Sequence, residues 1–306
     1  MKEDFKSETL FERVSGNTWH IRTGGLSMAA YMPSGTDMIM VDCGIGLGDG
    51  LIELIRSHGR RVTHMIATHC HVDHIGNAEL LQKTFGTKIW LPELESVVCR
   101  SDLVLKSNFP FASRRIVTNA FKMHCEPDKT YGPQDRAVDV DGISFGIVQT
   151  PGHSVANTCI ITPDNVMCLG DTLIGTEELN HSRLIYNLCV DIDIESKKSL
   201  RAYDCAAYIA CHGGVYYDIS ELIDENLNAI SRTADDIASV IDRKMSVEEI
   251  IKAYSEKFGL GGDNFVKCLM IERNIRPFVD YLCDEGRIIP VADKYLAKYA
   301  PAGQSV

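Results

Sequence analysis

The stretch THCHVDHIG, residues 68–76, places three histidines and an aspartate within the six positions from 69 to 74. It begins at the end of the apolar run HMIAT, which is typical of a buried β-strand. Side chains at the carboxyl end of a strand are rigidly supported and remain open to a substrate. The motif therefore predicts a strand that ends at a metal site, with a tight loop leading into a helix.

Three further apolar runs end in the same kind of residue, in the segments VQTPGHS, VMCLGD and YIACHGG. Together with the first run they deliver seven ligand-type side chains at four predicted strand ends: His69, His71, Asp73, His74, His153, Asp171 and His212. Most are followed by glycine or another small residue, as a tight turn beside a metal requires. The spacing within 69–74 can divide its side chains between two neighbouring ions, whereas a single open site needs only three ligands.

This pattern resembles the metallo-β-lactamase superfamily, and within it the dinuclear hydrolase branch that includes glyoxalase II and the acyl-homoserine lactonases. The resemblance rests on the HxHxDH motif and the three later ligands, which occur in the family's order over roughly residues 14–215. It implies an α/β fold, a four-layer αβ/βα sandwich of two mixed sheets with helices outside.

The resemblance also implies a role for each ligand. His69, His71 and His153 would hold a first metal, and Asp73, His74 and His212 a second. Asp171 would bridge the two ions. Asp42, in MIMVDCG, matches an aspartate that supports the metal loop through hydrogen bonds.

Two divalent ions are therefore expected, with zinc as the default and iron or manganese as alternatives. Ions about 3.5–4 Å apart can share a bridging water and lower its pKa, so that a bridging hydroxide attacks an ester, thioester or lactone. Asp73 can orient the hydroxide and then supply a proton to the leaving group. The family's iron-based oxygen reductases usually carry glutamate where this chain has His71, so the resemblance implies hydrolysis and not redox chemistry.

The choice among hydrolases stays open. Antibiotic-cleaving relatives commonly use a cysteine or a different histidine set in place of Asp171, and the lactonases carry a tyrosine that DTLIG lacks. Glyoxalase II grips glutathione with basic and tyrosine residues, and the candidates here for a pocket wall are Tyr216 and Tyr217. The alternatives to an ester, thioester or lactone hydrolase are a metal-dependent phosphodiesterase or RNA nuclease, and a metal-binding sensor with low turnover.

Patterning divides the chain into a catalytic domain, residues 1–217, and a mainly helical C-terminal cap, residues 218–306. A helical apolar stripe runs through 220–245, Ser246 and Glu249 have capping-box spacing, and Pro277 should kink or split a segment at about 264–285. The tail holds 11 Lys and Arg against 16 Asp and Glu, a net charge of −5, which disfavours nucleic acid. We expect it to cover the substrate pocket or to join copies of the chain in a homo-oligomer.

Composition limits the remaining options. A net charge of −11 argues against a non-specific phosphate-binding surface. No apolar window is long enough for a membrane span, and MKEDFKSETLFER has no signal-peptide core, so a cytoplasmic protein with a small-molecule substrate is expected. The eleven cysteines never form CxxC and are expected to be free thiols. His20, His58, His64 and His124 lack motif context and are expected to be structural.

Overall fold

The computed structural model describes residues 10–46, 48–110, 112–121 and 123–303. The outer ends of both predicted domains, 1–9 and 304–306, lie outside the described residues. Most of MKEDFKSETLFER, in which no signal-peptide core is predicted, therefore lies outside them too. Among the described residues, no helix is both long and apolar enough to cross a lipid bilayer.

The first sheet has seven strands in chain order. Its first four strands pair antiparallel and the last four pair parallel. The strands are β1 Leu10–Ser15, β2 Thr18–Thr23, β3 Leu26–Ser34, β4 Asp37–Val41, β5 Arg61–Ile66, β6 Lys88–Pro92 and β7 Lys129–Tyr131. The parallel strands β4, β5 and β6 are mostly buried, because both faces of this part of the sheet are covered.

The second sheet has six strands in the order β13-β12-β11-β10-β9-β8, with β11 and β12 parallel and the other pairs antiparallel. Its strands are β8 Ala137–Val140, β9 Ile143–Gln149, β10 Thr158–Ile161, β11 Val166–Cys168, β12 Ala207–Ala210 and β13 Gly214–Tyr216. The two sheets pack face to face through a shared apolar cluster that includes Ile39 and Ile66 of the first and Phe145 and Ile160 of the second.

Helices cover the outer faces of both sheets. They are α1 Asp49–Ser57, α2 Val72–Ile75, α3 Ala78–Phe85, α4 Glu93–Arg100, α5 Asp102–Ser107, α6 Arg114–Ala120, α7 Thr176–His181 and α8 Val190–Ser199, the last followed by a 3-10 turn at Leu200–Ala202. The predicted four-layer α/β sandwich is therefore confirmed. The run of short helices α4–α6 had no clear periodic signal in the sequence.

The tail forms helices α9 Ser220–Ala238, α10 Val247–Phe258 and α11 Phe265–Asp284, followed by a hairpin of β14 Ile288–Asp293 and β15 Leu296–Pro301. The capping box at Ser246 and Glu249 is present. Pro277 was predicted to kink or split this segment. Helix α11 continues through the proline, so the segment is not split, and the kink stays a prediction. Ile275 and Phe278, on either side of the proline, are fully buried in one apolar cluster with α9 and α10, and this packing offsets the cost of the proline, about 3 kcal/mol.

Candidate metal centre

Four strand ends meet at one edge of the sandwich. The loop after β5 carries the residues 69–74, and the loops after β9, β11 and β12 carry His153, Asp171 and His212. The structure brings the ligand-type atoms of these loops together in two groups, each within 4.8 Å, and Asp171 belongs to both groups.

The first group consists of His69, His71, His153 and Asp171. Nδ1 of His71 lies 2.8 Å from Nε2 of His69 and 2.9 Å from Nε2 of His153. Oδ2 of Asp171 lies 3.3 Å from Nε2 of His153. Three ring nitrogens and a carboxylate oxygen thus converge on one point, as the ligands of a divalent ion do.

The second group consists of His74, Asp171, Cys211 and His212. Oδ1 of Asp171 lies 3.0 Å from Nε2 of His74 and 3.5 Å from Nε2 of His212. Asp73 borders this group, because its Oδ2 lies 3.2 Å from Nε2 of His212. Cys211 was not among the predicted ligands, although its place beside His212 at a strand end was a usable signal.

The two oxygens of Asp171 face different groups, Oδ2 the first and Oδ1 the second. Nε2 of His74 and Oδ1 of Asp171 are buried, and neither has a hydrogen-bond partner although they lie 3.0 Å apart. Buried polar atoms without partners are costly, and a metal ion that binds both would remove that cost. The residues present therefore fit divalent cations on both sides of Asp171.

The electrostatics of the first group favour neutral imidazoles. Burial holds the pKa of His69 and of His71 well below its ordinary value, and neighbouring histidines lower both further. Burial likewise lowers the pKa of His153 to about 4. All three rings are therefore uncharged at neutral pH, which is the form that binds metals.

In the second group, the neighbouring carboxylates stabilise the positively charged forms of the histidines. The carboxylate of Asp171 raises the pKa of His212 to about 11. Burial works against a charged His74, yet Cys211, Asp171 and Asp42 together raise its pKa well above the ordinary value. Burial also opposes the charged form of Asp73, but the hydrogen bond from His212 and the charge of His74 outweigh it and keep the pKa of Asp73 low. This part of the site stabilises cations, which is what a divalent ion requires.

Asp42 supports the segment 68–74 through hydrogen bonds, which is the role that the resemblance implied for it. Its Oδ1 accepts a hydrogen bond from the backbone N–H of Thr68 at 2.8 Å, and its Oδ2 accepts one from the Thr68 hydroxyl at 2.9 Å. Oδ2 also lies 2.8 Å from Nδ1 of His74. These contacts fix the His74 ring with its Nε2 toward Asp171, because the other ring nitrogen is tied to Asp42.

Glu95, at the start of α4, joins two of the ligand loops and was missed by the sequence analysis. Its carboxylate is buried and accepts hydrogen bonds from the backbone N–H of Cys70, the hydroxyl of Ser154 and the backbone N–H of Ala156. Cys70 lies between His69 and His71, and Ser154 follows His153. Glu95 therefore fixes the first group's loops relative to each other.

The loop of His153 depends on a glycine. Gly152 has a φ of 125°, and a Cβ at this position would meet the backbone N of Asp193 at 2.3 Å. The contact brings α8 against the loop, where the backbone N–H groups of Leu188 and Cys189 donate to the Gly152 carbonyl. A larger residue would push the His153 loop away from the centre.

A cavity of about 400 Å³ opens at His71. It lies between α4 and α5 on one side and helix α11 of the tail on the other, and Tyr186 and Arg273 line it beside His71. An Arg273 nitrogen lies 3.0 Å from Nε2 of His71. Tyr216 and Tyr217 do not line this cavity, and Tyr217 is exposed, so their role at a pocket wall stays a prediction.

Four of the histidines that were expected to be structural, His20, His58, His64 and His124, lie outside both ligand groups. His20 contacts Glu12 and Ser27, and His124 contacts the carbonyl of Cys99 at 3.0 Å. His58 stacks on Phe11, and His64 is buried near Asp141.

Comparisons with known proteins agree with this geometry. The sequence profile described as "Metallo-beta-lactamase superfamily" matches residues 22–212, more than half of the chain. A beta-lactamase domain protein from Burkholderia ambifaria matches with a TM-score of 0.68 at 15% identity, over 95% of this chain and 93% of its own. A metallo-beta-lactamase family protein from Thermus thermophilus gives a TM-score of 0.67 at 16% identity, over 93% of this chain and 98% of its own. These likenesses show the fold.

Curated relatives are also distant. An atrochrysone carboxyl ACP thioesterase from Aspergillus fumigatus is 20% identical over 75% of this chain and 64% of its own length. The hydroxyacylglutathione hydrolase GloC from Haemophilus influenzae is 27% identical over 42% of this chain and 58% of its own. The chain thus spans less than two thirds of either relative.

Proposed function

The chain belongs to the metallo-β-lactamase superfamily of hydrolases, and we propose that it cleaves a small-molecule thioester, ester or lactone at a dinuclear centre of two divalent ions, with zinc as the native metal. The observation that carries the proposal is the pair of ligand groups that share Asp171 and lie beside the cavity at His71. The names of the two curated relatives, a thioesterase and a hydroxyacylglutathione hydrolase, support a thioester as the substrate.

Each predicted ligand has a role in this proposal. His69, His71 and His153 would hold one ion, His74 and His212 with Asp73 the other, and Asp171 would bridge them. Bound ions of this kind supply an activated water and polarise the substrate carbonyl.

The chain's own acid–base group would be Asp73. Its low pKa keeps the carboxylate ionised at neutral pH, which is the form that accepts a hydrogen bond from an attacking water and orients it. We propose that the same carboxylate passes a proton from that water to the leaving group. Its side chain is 30% exposed, so it is accessible from outside the ligand cluster.

The compartment that we propose is the cytoplasm. All eleven cysteines are free in the structure, and eight of them are buried. Free buried thiols persist where glutathione and thioredoxin keep them reduced.

The test is a substrate screen of protein reconstituted with zinc at neutral pH. The probes are hexanoyl-N-acetylcysteamine, N-hexanoyl-homoserine lactone and bis(p-nitrophenyl) phosphate. The matched variants are Asp171→Ala and His124→Ala. The proposal expects thioester or lactone cleavage that Asp171→Ala abolishes and His124→Ala retains. Cleavage of the phosphodiester alone would assign the nuclease class, and metal binding without any turnover would assign the sensor.

A further inference from the structure

The cavity beside His71 has mainly apolar walls. Helices α4 and α5, the residues between α5 and α6, and Met123 supply one side, the loop of His153 a second, and helix α11 the third. The apolar lining residues are Leu94, Val97, Val98, Val104, Phe109, Pro110, Ala112, Met123, Val155, Leu188, Leu269 and Pro277. At about 400 Å³ the cavity has the size of a small-molecule site and is too small for a folded or polymeric partner.

Arg273 places a guanidinium in this apolar space. Its central carbon lies 3.6 Å from the ring centre of Tyr186 and 5.0 Å from that of Phe109. Stacking of this kind holds the planar group in one orientation and leaves its edge N–H donors available. One of those nitrogens lies 3.0 Å from Nε2 of His71, so the guanidinium is next to the candidate metal centre.

The carboxylates that line the cavity either bind other partners or are exposed to solvent. Glu95 accepts three hydrogen bonds from the ligand loops. Glu272 pairs with Arg276 at 2.7 Å, and Asp280 is exposed. Within the part of the chain that the structure describes, no ion pair within 4.0 Å includes Arg273.

A half-buried guanidinium that lacks a carboxylate is costly in an apolar cavity, and an anion from the substrate would remove that cost. Arginine is the residue best suited to bind a carboxylate, because its fork of N–H donors matches both oxygens. The apolar walls, in turn, suit a hydrocarbon segment.

We propose that this cavity binds the acyl part of the substrate and that Arg273 binds a carboxylate carried by it. The substrate class is then a thioester of a dicarboxylic acid, with a short hydrocarbon segment between the carboxylate and the scissile carbonyl. This inference rests on the proposed hydrolysis, in which water adds an oxygen to the carbonyl carbon, the C–S bond breaks, and one proton from water passes to the leaving sulfur. The second proton of the water leaves the new carboxyl group for the solvent, so the products are a dicarboxylate, a thiol and a proton.

The test compares two thioesters of equal chain length, adipoyl- and hexanoyl-N-acetylcysteamine, with zinc-loaded protein. If Arg273 forms a charged hydrogen bond with the free carboxylate of the adipoyl group, kcat/KM should be higher for the adipoyl thioester than for the hexanoyl thioester by about ten-fold or more. Arg273→Met should bring that ratio to about one, and Arg273→Lys should retain part of it because the charge remains. Arg287→Met is the matched control and should keep the wild-type ratio. Arg287 follows the C-terminal end of α11 and pairs with Asp235 of α9.

Product binding gives a readout that does not depend on turnover. Calorimetry of adipate and hexanoate should show the same preference, lost in Arg273→Met and kept in Arg287→Met. Equal binding of the two acids, or a preference that survives Arg273→Met, overturns the inference.

The outcomes separate the two proposals. If both thioesters are cleaved without preference and the two acids bind equally, the carboxylate site is wrong and the hydrolase stands. If no thioester, lactone or ester is cleaved while adipate still binds through Arg273, the carboxylate site stands and the hydrolase is wrong.

Discussion

Oδ2 of Asp42 lies 2.8 Å from Nδ1 of His74, a contact between residues 32 positions apart in the chain. It leaves Nε2 as the ring atom that faces Asp171 at 3.0 Å. In an Asp42→Asn variant, an amide N–H would meet either the His74 ring or Thr68, both of which donate to the carboxylate.

We therefore expect Asp42→Asn to weaken binding of the second metal by about 10- to 100-fold, the usual effect of losing a partner that orients a ligand. A competition titration with a chromophoric chelator measures the two affinities separately. Asp139→Asn is the control, because Asp139 accepts a turn hydrogen bond from Gly142 on the surface. Equal affinities in Asp42→Asn and the wild type would show that Asp42 does not orient the ligand.

Asp171→Ala should lower the metal content from about two ions per chain to one or fewer, because its two oxygens face different ligand groups. Elemental analysis after reconstitution and gel filtration measures this. His124→Ala should keep the full content, since its ring contacts the Cys99 carbonyl and lies outside both ligand groups. Two ions per chain in Asp171→Ala would refute the bridging role.

Removal of the metals should destabilise the fold, because both ligand groups would lose the ion that their ring nitrogens and carboxylates converge on. Ions that bind only the folded state stabilise it by about 2.7 kcal/mol at a hundred times their dissociation constant. For a chain of this size we expect chelation to lower the Tm by about 5 °C or more. Differential scanning calorimetry before and after dialysis against a chelator, with zinc added back, is the measurement. An unchanged Tm would argue against ions bound at this site.

The fold could be predicted because the order of the ligand-type residues resembles a known family, and the clustering of these residues could be predicted because each position is encoded locally. Each predicted strand is an apolar run, and each ligand-type residue follows such a run within a few residues. The ends of β5 in the first sheet and of β9, β11 and β12 in the second therefore bring these residues to one edge of the sandwich.

The residues that the sequence analysis missed act over long separations. The contact of Arg273 with His71 joins positions 202 residues apart, and Glu95 contacts Ser154 over 59. Both belong to helices with mixed apolar and charged residues, where a charged side chain usually faces solvent. Nothing in the local pattern distinguishes such a charge from an exposed one, since only the packing of α4 and α11 at the centre places it inside.

Lys197 and Asp193 form a buried ion pair within helix α8. Nζ of Lys197 lies 2.6 Å from Oδ2 of Asp193, and both side chains are almost fully buried. Lys197→Met should lower the free energy of unfolding by about 3–5 kcal/mol at pH 7, because it leaves Asp193 buried as an unpaired charge. Lys198→Met is the matched control: its partner Glu195 is exposed, and its loss should cost less than about 1 kcal/mol.

The penalty in Lys197→Met should depend on pH in a defined direction. Burial already raises the pKa of Asp193 above its ordinary value, while Lys197 opposes that rise, so removal of the lysine raises the pKa further. A raised carboxyl pKa means that the folded state binds a proton more readily than the unfolded state, and stability then increases as the pH falls through the folded-state pKa. Urea denaturation of the metal-free wild type and variant at pH 7 and pH 5 should therefore show a smaller difference between them at pH 5. A difference that stays constant or grows on acidification would mean that Asp193 is not the charge left unpaired.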